Sequence, residues 1–482
     1  MNRAPKRRMF AFFRKPNIAQ GNAMTTNTII SRLNHSKSIL SSLQTAPGLP
    51  FREILPTEEF SSEIENIQYR DRIYTPDVTV WAFLSQVLND DQSQQAAVAR
   101  VISFFSSQGR EAPSLNTAAY SKARSRLPKA LLATQAQNCA RELEAMTLPD
   151  WRWNNKNVKL MDGSTLSMPD TPENQVMYPQ PRTQKKGAGF PLARIVTVTS
   201  HETGAMLDLA IGPWSGKGTG EHALLRKILH VFKPGDVALG DCYYASFFLI
   251  AMLLEMRVDA VFPVHGARQN DFRRGKRLGK KDHLVQWKKP ARPTWMDKET
   301  YEKFPDCITV REVMVSDASK GFRSRSRIVV TTFLKPKEVP KKELALLYDS
   351  RWCVELDLRS LKETMHMGIL RGKTPDMVHK EIWAHILAYN LIRKIMAQAA
   401  ITHNKNPREI SFKLALQMID AFRQAGILSE KDKENYMRLL KAICYKKIGN
   451  RPGRREPRRI KRRPKAFPRM QKSRHLYQKE SA

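Results

Sequence analysis

The sequence has few acidic residues and no long hydrophobic run, and both shortages restrict what the protein can be. Among its 482 residues, 46 Asp and Glu stand against 82 Lys and Arg, which leaves a formal net charge of +36. Such an excess of positive charge indicates a polyanionic partner, most often nucleic acid. The longest unbroken apolar run covers only residues 247–254, far short of the ~20 residues of a membrane-spanning helix. We therefore expect no membrane partner.

Cysteine is also scarce, and its spacing is uninformative. The five cysteines lie at positions 139, 242, 307, 353 and 444, and no CxxC pair occurs, so neither a disulfide framework nor a zinc site is indicated. The basic N-terminus has one short apolar stretch, which Arg14 and Lys15 interrupt, and this excludes a signal peptide. We expect a reduced, cytoplasmic protein, associated with the nucleoid if its partner is DNA.

The positive charge is concentrated in three clusters. Residues 1–15 contain six basic residues and no acidic one, residues 268–281 contain seven against Asp271, and residues 446–482 contain fifteen against two. Any one cluster could be a solvated surface or a flexible end. Three clusters on one chain favour an extended track of phosphate contacts, which add affinity for DNA without reading its sequence.

Hydrophobic patterning divides the chain into segments of different character. Residues 193–200 and 206–211 alternate around a Glu-Thr-Gly turn, which predicts a β-hairpin. Helical and strand patterns then alternate up to residue 264, which indicates a mixed α/β sheet. We predict an N-terminal arm (1–65), a helical DNA-binding region (66–150), an α/β core in two parts (151–265 and 336–405) around an inserted β subdomain (266–335), C-terminal helices (406–450) and a basic tail (451–482).

Two carboxylates stand out because of where they fall in this pattern. Asp162 follows a short apolar strand at 158–161, and Asp241 ends a buried strand at 237–240, whereas Asp236 lies at the start of that strand. Alone, Asp-Gly usually marks a turn, and an Asp before a helix is usually an N-cap. Because parallel strands end together at the carboxyl edge of a sheet, we predict that Asp162 and Asp241 meet there.

The most specific pattern is Tyr348-x2-Arg351-x3-Glu355-x6-Lys362. On one long helix over about residues 341–365, these side chains would lie within roughly 60° of one another. The alternative is a solvated helix face on which Arg351 merely pairs with Glu355. Glu355 could complete a cluster with the two aspartates. Three carboxylates repel each other unless divalent cations such as Mg²⁺ bind between them, and two such ions can catalyse phosphoryl displacement.

These motifs together resemble a known group, the bacterial DDE transposases of insertion sequences that carry the Tyr-Arg-Glu-Lys signature (the IS-four family). The matching pieces are residues 79–88, 120–128, 162–165, 240–244, 348–362 and 381–385. The resemblance implies a ribonuclease-H-like mixed sheet with flanking helices, interrupted by an inserted β subdomain. It also implies two Mg²⁺ or Mn²⁺ ions held by Asp162, Asp241 and Glu355, with Tyr348, Arg351 and Lys362 contacting transposon-end DNA.

The function implied is a cut-and-paste DNA transposase. It would cleave double-stranded DNA at the terminal inverted repeats and join the freed 3′-OH to target DNA, as a homodimer in the DNA complex. Two alternatives stay open from the sequence. One is a metal-dependent nuclease of the same fold that cuts without joining, and the other is a DNA-binding protein without catalysis.

Two further features are ambiguous. A helix starting near residue 116 carries Tyr120 and Arg124, and its basic face could enter a DNA groove or be an ordinary surface. Trp287 and Trp295 lie in the basic insertion, where either could stack on a flipped base or belong to the core of the subdomain.

Overall fold

The computed structural model describes residues 73–107, 109, 111–266, 268–316, 326–424 and 433–445, together with Lys472 and Leu476. The predicted N-terminal arm and almost all of the basic tail lie outside these residues. Residues 317–325 also lie outside them. No helix in the described part of the chain is both long enough and apolar enough to cross a membrane.

In the described part of the chain, four α-helices precede the sheet: α1 (Pro76–Leu88), α2 (Gln94–Ser107), α3 (Ala118–Arg126) and α4 (Lys129–Ala145). The first begins at Pro76, and proline suits this position because it lacks the N–H that a first helical turn leaves unpaired. Its apolar face packs on α2 and on a long C-terminal helix. These helices therefore share a core with the rest of the molecule.

Nine strands form a single mixed sheet, in the order β3-β2-β1-β4-β5-β9-β8-β7-β6. β4 pairs in parallel with both β1 and β5, whereas β2 and β3 form the predicted antiparallel hairpin. The mixed α/β fold class is confirmed, and the sheet is consistent with the ribonuclease-H-like core that the resemblance implies. The strands are Val158–Ser167, Leu192–Ser200, Met206–Pro213, Val237–Leu239, Asp259–Pro263, Lys276–Gly279, Asp282–Lys288, Cys307–Ser316 and Ser326–Thr331.

The inserted strands extend the central sheet. β9 pairs antiparallel with β5, with Val261 opposite Thr331, and β8, β7 and β6 follow in turn. The exposed basic residues of the 268–281 cluster lie around the hairpin of β6 and β7, at the outer edge of this sheet. Backbone hydrogen bonds thus connect the insertion to β5, which in turn pairs with β4, the strand that Asp241 follows.

The remaining helices cover the sheet and close the core. The longest one, α11, is buried on nearly every side between the N-terminal helices, the sheet and the last two helices, as expected for a helix that is apolar all round. The helices in chain order are α5 (Pro172–Met177), α6 (Glu221–Arg226), α7 (Phe247–Glu255), α8 (Lys298–Lys303), α9 (Lys341–Ser350), α10 (Trp352–Arg359), α11 (Pro375–Thr402), α12 (Phe412–Gln424) and α13 (Lys433–Ile443).

Candidate active site

Asp162 lies inside β1, where the sequence predicts a turn. The strand continues to Ser167 because β2 pairs with it along its whole length, with Asp162 opposite Thr197. On its other side β1 pairs with β4 only as far as Leu160. The half-buried Asp162 carboxylate therefore lies just beyond the end of the neighbouring parallel strand. There its Oδ1 accepts a hydrogen bond from the Gly163 N–H at 2.8 Å.

Asp241 follows β4 at the same edge of the sheet. Its Oδ1 caps a short 3₁₀ turn, Cys242–Tyr244, by accepting from the Tyr243 N–H at 2.8 Å. The N-cap interpretation is thus geometrically right, and it does not exclude a second role. Asp236, the alternative, is deeply buried at the start of β4 and pairs with Lys159 at 2.7 Å. Its oxygens hold β1 and β4 together, away from the edge.

Glu355 reaches this edge from α10, which packs against β1. Its Oε1 accepts from the Arg351 Nη2 at 2.5 Å, and the glutamate side chain is 32% exposed. The Arg351–Glu355 contact has the i,i+4 spacing that the solvated-face alternative predicts. It nevertheless lies beside the aspartates, since Arg351 and Glu355 both influence the titration of Asp162.

Asp241 and Glu355 both lie within electrostatic range of Asp162. Burial raises the pKa of Asp162 to about 6, and Asp241 and Glu355 add to the rise, while the Gly163 N–H and Arg351 oppose it. Among the described residues, no three His, Cys, Asp or Glu side chains are gathered into a ready-made metal cage. The two other acids therefore act on Asp162 electrostatically, and Arg351 engages Glu355.

Sequence patterns did not indicate a fourth acid beside this group, Glu221 at the start of α6. The space for it depends on Gly163, because a Cβ there would come within 2.5 Å of the Glu221 Cδ. Its Oε2 accepts from the Tyr244 hydroxyl at 3.4 Å. Burial raises the pKa of Glu221, and the charge of Asp241 raises it further. No sequence pattern near Glu221 indicates this position. Gly163 makes room for Glu221 because it has no side chain, but this becomes evident only in the folded structure.

The signature residues do not lie on one continuous helix, so the prediction of a single helix over about residues 341–365 is wrong. α9 ends at Ser350, a tight turn follows at Arg351, and α10 gives way to a π-helical turn at Ser360–Thr364. Such π turns occur frequently at functional sites. Here the turn contains Lys362, whose Nζ donates to the Ser164 Oγ of β1 at 3.0 Å.

A groove of about 400 Å³ opens beside Glu355. Tyr348 is largely buried in its wall, and the exposed Arg327 of β9 donates to the Tyr348 hydroxyl at 3.3 Å. The sequence analysis identified neither Arg327 nor the half-exposed Trp352, because neither belongs to the signature. The groove is lined by Arg327, Tyr348, Asp349, Arg351, Trp352 and Glu355.

Two other candidate DNA contacts, the helix α3 and the tryptophans of the insertion, differ in how far their side chains are exposed to solvent. On α3, Tyr120 is fully buried and donates to Gln86 at 2.9 Å, and Arg124 is buried beside it. These two side chains therefore pack on α1, whereas Lys122 and Arg126 of the same helix are exposed. Trp287 is buried and donates to Glu312 at 2.8 Å, whereas Trp295 is 45% exposed and stacks under Arg226. Of the two tryptophans, only Trp295 presents surface.

The transposase DDE domain matches residues 153–391, a range that holds all three carboxylates and the whole signature. Residues 153–391 belong to the DDE transposase family. The chain is therefore a DNA transposase, an enzyme that acts on DNA, and the resemblance to bacterial insertion-sequence transposases is confirmed. Domains of this family generally use divalent metal ions. The roles of the individual signature residues remain predictions.

Individual relatives agree with the family. Transposase InsG for insertion sequence element IS4 of Escherichia coli (strain K12) is 27% identical over 334 residues, 66% of this transposase and 71% of InsG. The transposase for insertion sequence element IS421 of Escherichia coli is 30% identical over 78 residues, 16% of this chain and 21% of that protein. A cryo-EM structure of the piggyBac transposase synaptic complex with hairpin DNA superposes over 86% of this chain and 85% of that chain. Its TM-score of 0.38 and identity of 10% are too low to argue from.

Proposed function

We propose that this transposase moves DNA by cut-and-paste. In the first step, water attacks a phosphorus at the transposon end, the P–O3′ bond breaks, and the strand leaves with a free 3′-OH. In the second, that 3′ oxygen attacks a target phosphorus and displaces the target's own 3′ oxygen. Each step exchanges one P–O bond for another and needs no covalent enzyme intermediate. The observation that carries the proposal is the convergence of Asp162, Asp241 and Glu355 from three separate chain segments.

The donor set fits divalent cations. Carboxylate oxygens are the hard ligands that Mg²⁺ and Mn²⁺ prefer, and a buried group of acids is costly unless positive charge compensates it. Asp162, Asp241 and Glu355 would hold two such ions. When bound, the ions would polarise the attacking oxygen and stabilise the leaving oxygen.

The Arg351–Glu355 ion pair affects how metal ions and DNA would bind to the site. Glu355 Oε1 is held by Arg351, so the carboxylate has to share or give up this contact to serve as a ligand. An arginine released from a carboxylate can hold a phosphate with two parallel hydrogen bonds. We therefore propose that the arriving DNA phosphate takes over Arg351 while Glu355 turns to the ions.

Tyr348 and Lys362 border the same site from opposite directions. Tyr348 forms part of the groove wall, and Lys362 is anchored by Ser164, two residues after Asp162. We propose that both contact the transposon-end strand, with Lys362 acting as a point charge on a phosphate. The partners are then terminal inverted repeats and target DNA. A homodimer in the DNA complex would supply one site for each end.

The test is a cleavage and joining assay on DNA that carries the inverted repeats flanking this coding sequence. We expect nicks at the repeat ends with Mg²⁺ or Mn²⁺, no nicks with chelator, and joined products when a target plasmid is added. Glu355→Gln is the matched catalytic control, since it keeps the shape and removes the charge. Cleavage without joined products would favour the nuclease alternative. Binding without cleavage would favour the non-catalytic one.

A further inference from the structure

Arg327 lies far from the signature in sequence, yet it borders the groove beside Glu355. It is the second residue of β9, the strand that connects the insertion to β5. Its Nη1 donates to the Tyr348 hydroxyl at 3.3 Å, and its guanidinium carbon lies 5.4 Å from the centroid of the Tyr348 ring. The phenol therefore orients an exposed cation over the groove.

The two arginines of this groove differ in their partners. Arg351 donates to a carboxylate, which offsets its charge, whereas Arg327 donates to a neutral hydroxyl. A guanidinium has five N–H donors, and within the described residues the bond to Tyr348 leaves most of them available. Arg327 also sits on a sheet strand, which holds its backbone more firmly than a surface loop would.

We propose that Arg327 binds a backbone phosphate of the DNA strand being cleaved, next to the scissile phosphate, and so makes the inserted strands part of the catalytic groove. The inference rests on the proposed function, because it names a further positioning residue for the same reaction. A bidentate guanidinium–phosphate contact fixes direction as well as distance. Arg327 would therefore align the strand for attack in addition to holding it.

The experiment compares Arg327→Ala and Arg327→Lys with Lys288→Ala, a change at an exposed basic residue of β7 in the same insertion but outside the 268–281 cluster. Each full-length variant receives end DNA in which single phosphates of the cleaved strand are replaced by neutral methylphosphonates. Cleavage is measured on pre-bound DNA, and equilibrium binding is measured in parallel. Unfolding temperature checks that each variant is folded.

For the wild type we expect one methylphosphonate beside the scissile position to slow cleavage and weaken binding. Arg327→Ala should cleave unmodified DNA about 10- to 100-fold more slowly, the loss of one charge-assisted hydrogen bond. It should then lose nothing further at that one phosphate. Arg327→Lys should recover part of the rate, and Lys288→Ala should keep the wild-type profile.

The inference is overturned if Arg327→Ala keeps the full wild-type sensitivity at every phosphate, since its role would then be to support Tyr348. It is equally overturned if Arg327→Ala behaves like Lys288→Ala. A wild type that binds end DNA without cleaving it contradicts the proposed function instead. In that case the binding profile still decides whether Arg327 contacts a phosphate.

Discussion

Two carboxylates only two residues apart on α10 have opposite surroundings. Glu355 is 32% exposed and has Arg351 as its ion-pair partner. Asp357 has no exposed surface. It accepts from Arg393 at 2.5 Å and from Arg408 at 2.7 and 2.9 Å. Arg408 also donates to the backbone carbonyls of Ser200 and His201 at the β2–β3 turn. The buried acid therefore ties α10 to the hairpin and to the segment after α11.

The difference shows how one carboxylate of α10 can hold the helix in place while the other remains able to exchange its partner. The oxygens of Asp357 accept hydrogen bonds from two buried arginines. If this carboxylate exchanged partners, the two buried cations would lose their counter-charge. The partly exposed Arg351–Glu355 pair has the i,i+4 spacing at which solvated helix pairs contribute only ~0.3–0.5 kcal/mol, and a metal ion or a phosphate can exceed such a contribution. The buried cluster thus holds the helix in place while Glu355 remains available for chemistry.

The largest effect should come from Glu355→Gln. Cleavage should fall by at least ~10⁴-fold, about 5 kcal/mol in the activation barrier, because the amide is a poor ligand for the ions. The free energy of unfolding should change by less than about 1 kcal/mol. Cleavage rates on pre-bound end DNA and urea unfolding measure the two quantities. Asp162→Ala and Asp241→Ala should also abolish cleavage and retain DNA binding. Near-normal cleavage by any of the three variants would remove that residue from the site.

Asp357→Asn should have the opposite effect and lower mainly the free energy of unfolding. Breaking a buried ion pair from one side costs about 3–5 kcal/mol, since the remaining charges stay buried. Urea unfolding measures that loss, and cleavage by the folded fraction should fall because α10 loosens. Glu363→Gln is the matched control, because its ion pair with Arg359 is largely exposed. A stability loss no larger than that of Glu363→Gln would show that Asp357 does not hold the helix.

The same contrast shows what sequence patterns reach and where they fail. The hairpin of β2 and β3 and the helix Pro375–Thr402 follow from local periodicity and a proline N-terminus, so both were predictable. The strand conformation of Asp162 was not, because pairing with β2 overrides the local preference of Asp-Gly for a turn. The break at Arg351 carries no proline or glycine to announce it.

Residues that enter the site through tertiary contacts lie beyond any local pattern. Glu221 fits only because Gly163, 58 positions earlier in the chain, has no side chain. Arg327 reaches Tyr348 only because β9 pairs with β5. The Asp and Glu candidates were found because strand ends and helix spacing are local signals. Their neighbours depend on how separate elements pack.

A smaller effect should show whether Arg351 contacts the DNA or only pairs with Glu355 along the helix. If Arg351 holds the scissile phosphate with two hydrogen bonds, Arg351→Lys keeps the charge and still loses about 10- to 100-fold in cleavage. Lys362→Arg should be milder, since a point charge is easier to replace. Both variants should retain metal binding, measured by calorimetry. An unchanged rate in Arg351→Lys would return this contact to an ordinary helix pair.

The smallest effect on the cleavage rate should come from the variant that loses the most positive charge. Deleting residues 451–482 removes thirteen Lys and Arg against Glu456 and Glu480, but none of the residues assigned to the active site. Cleavage of pre-bound end DNA should therefore change by less than about twofold. Binding to all DNA sequences should weaken alike, and its dependence on salt should flatten by about 0.9 in log–log slope for each phosphate that the shortened chain leaves unneutralised. Titrations of end and random DNA at several salt concentrations measure both quantities. Weaker binding confined to end DNA would make this segment a specificity element.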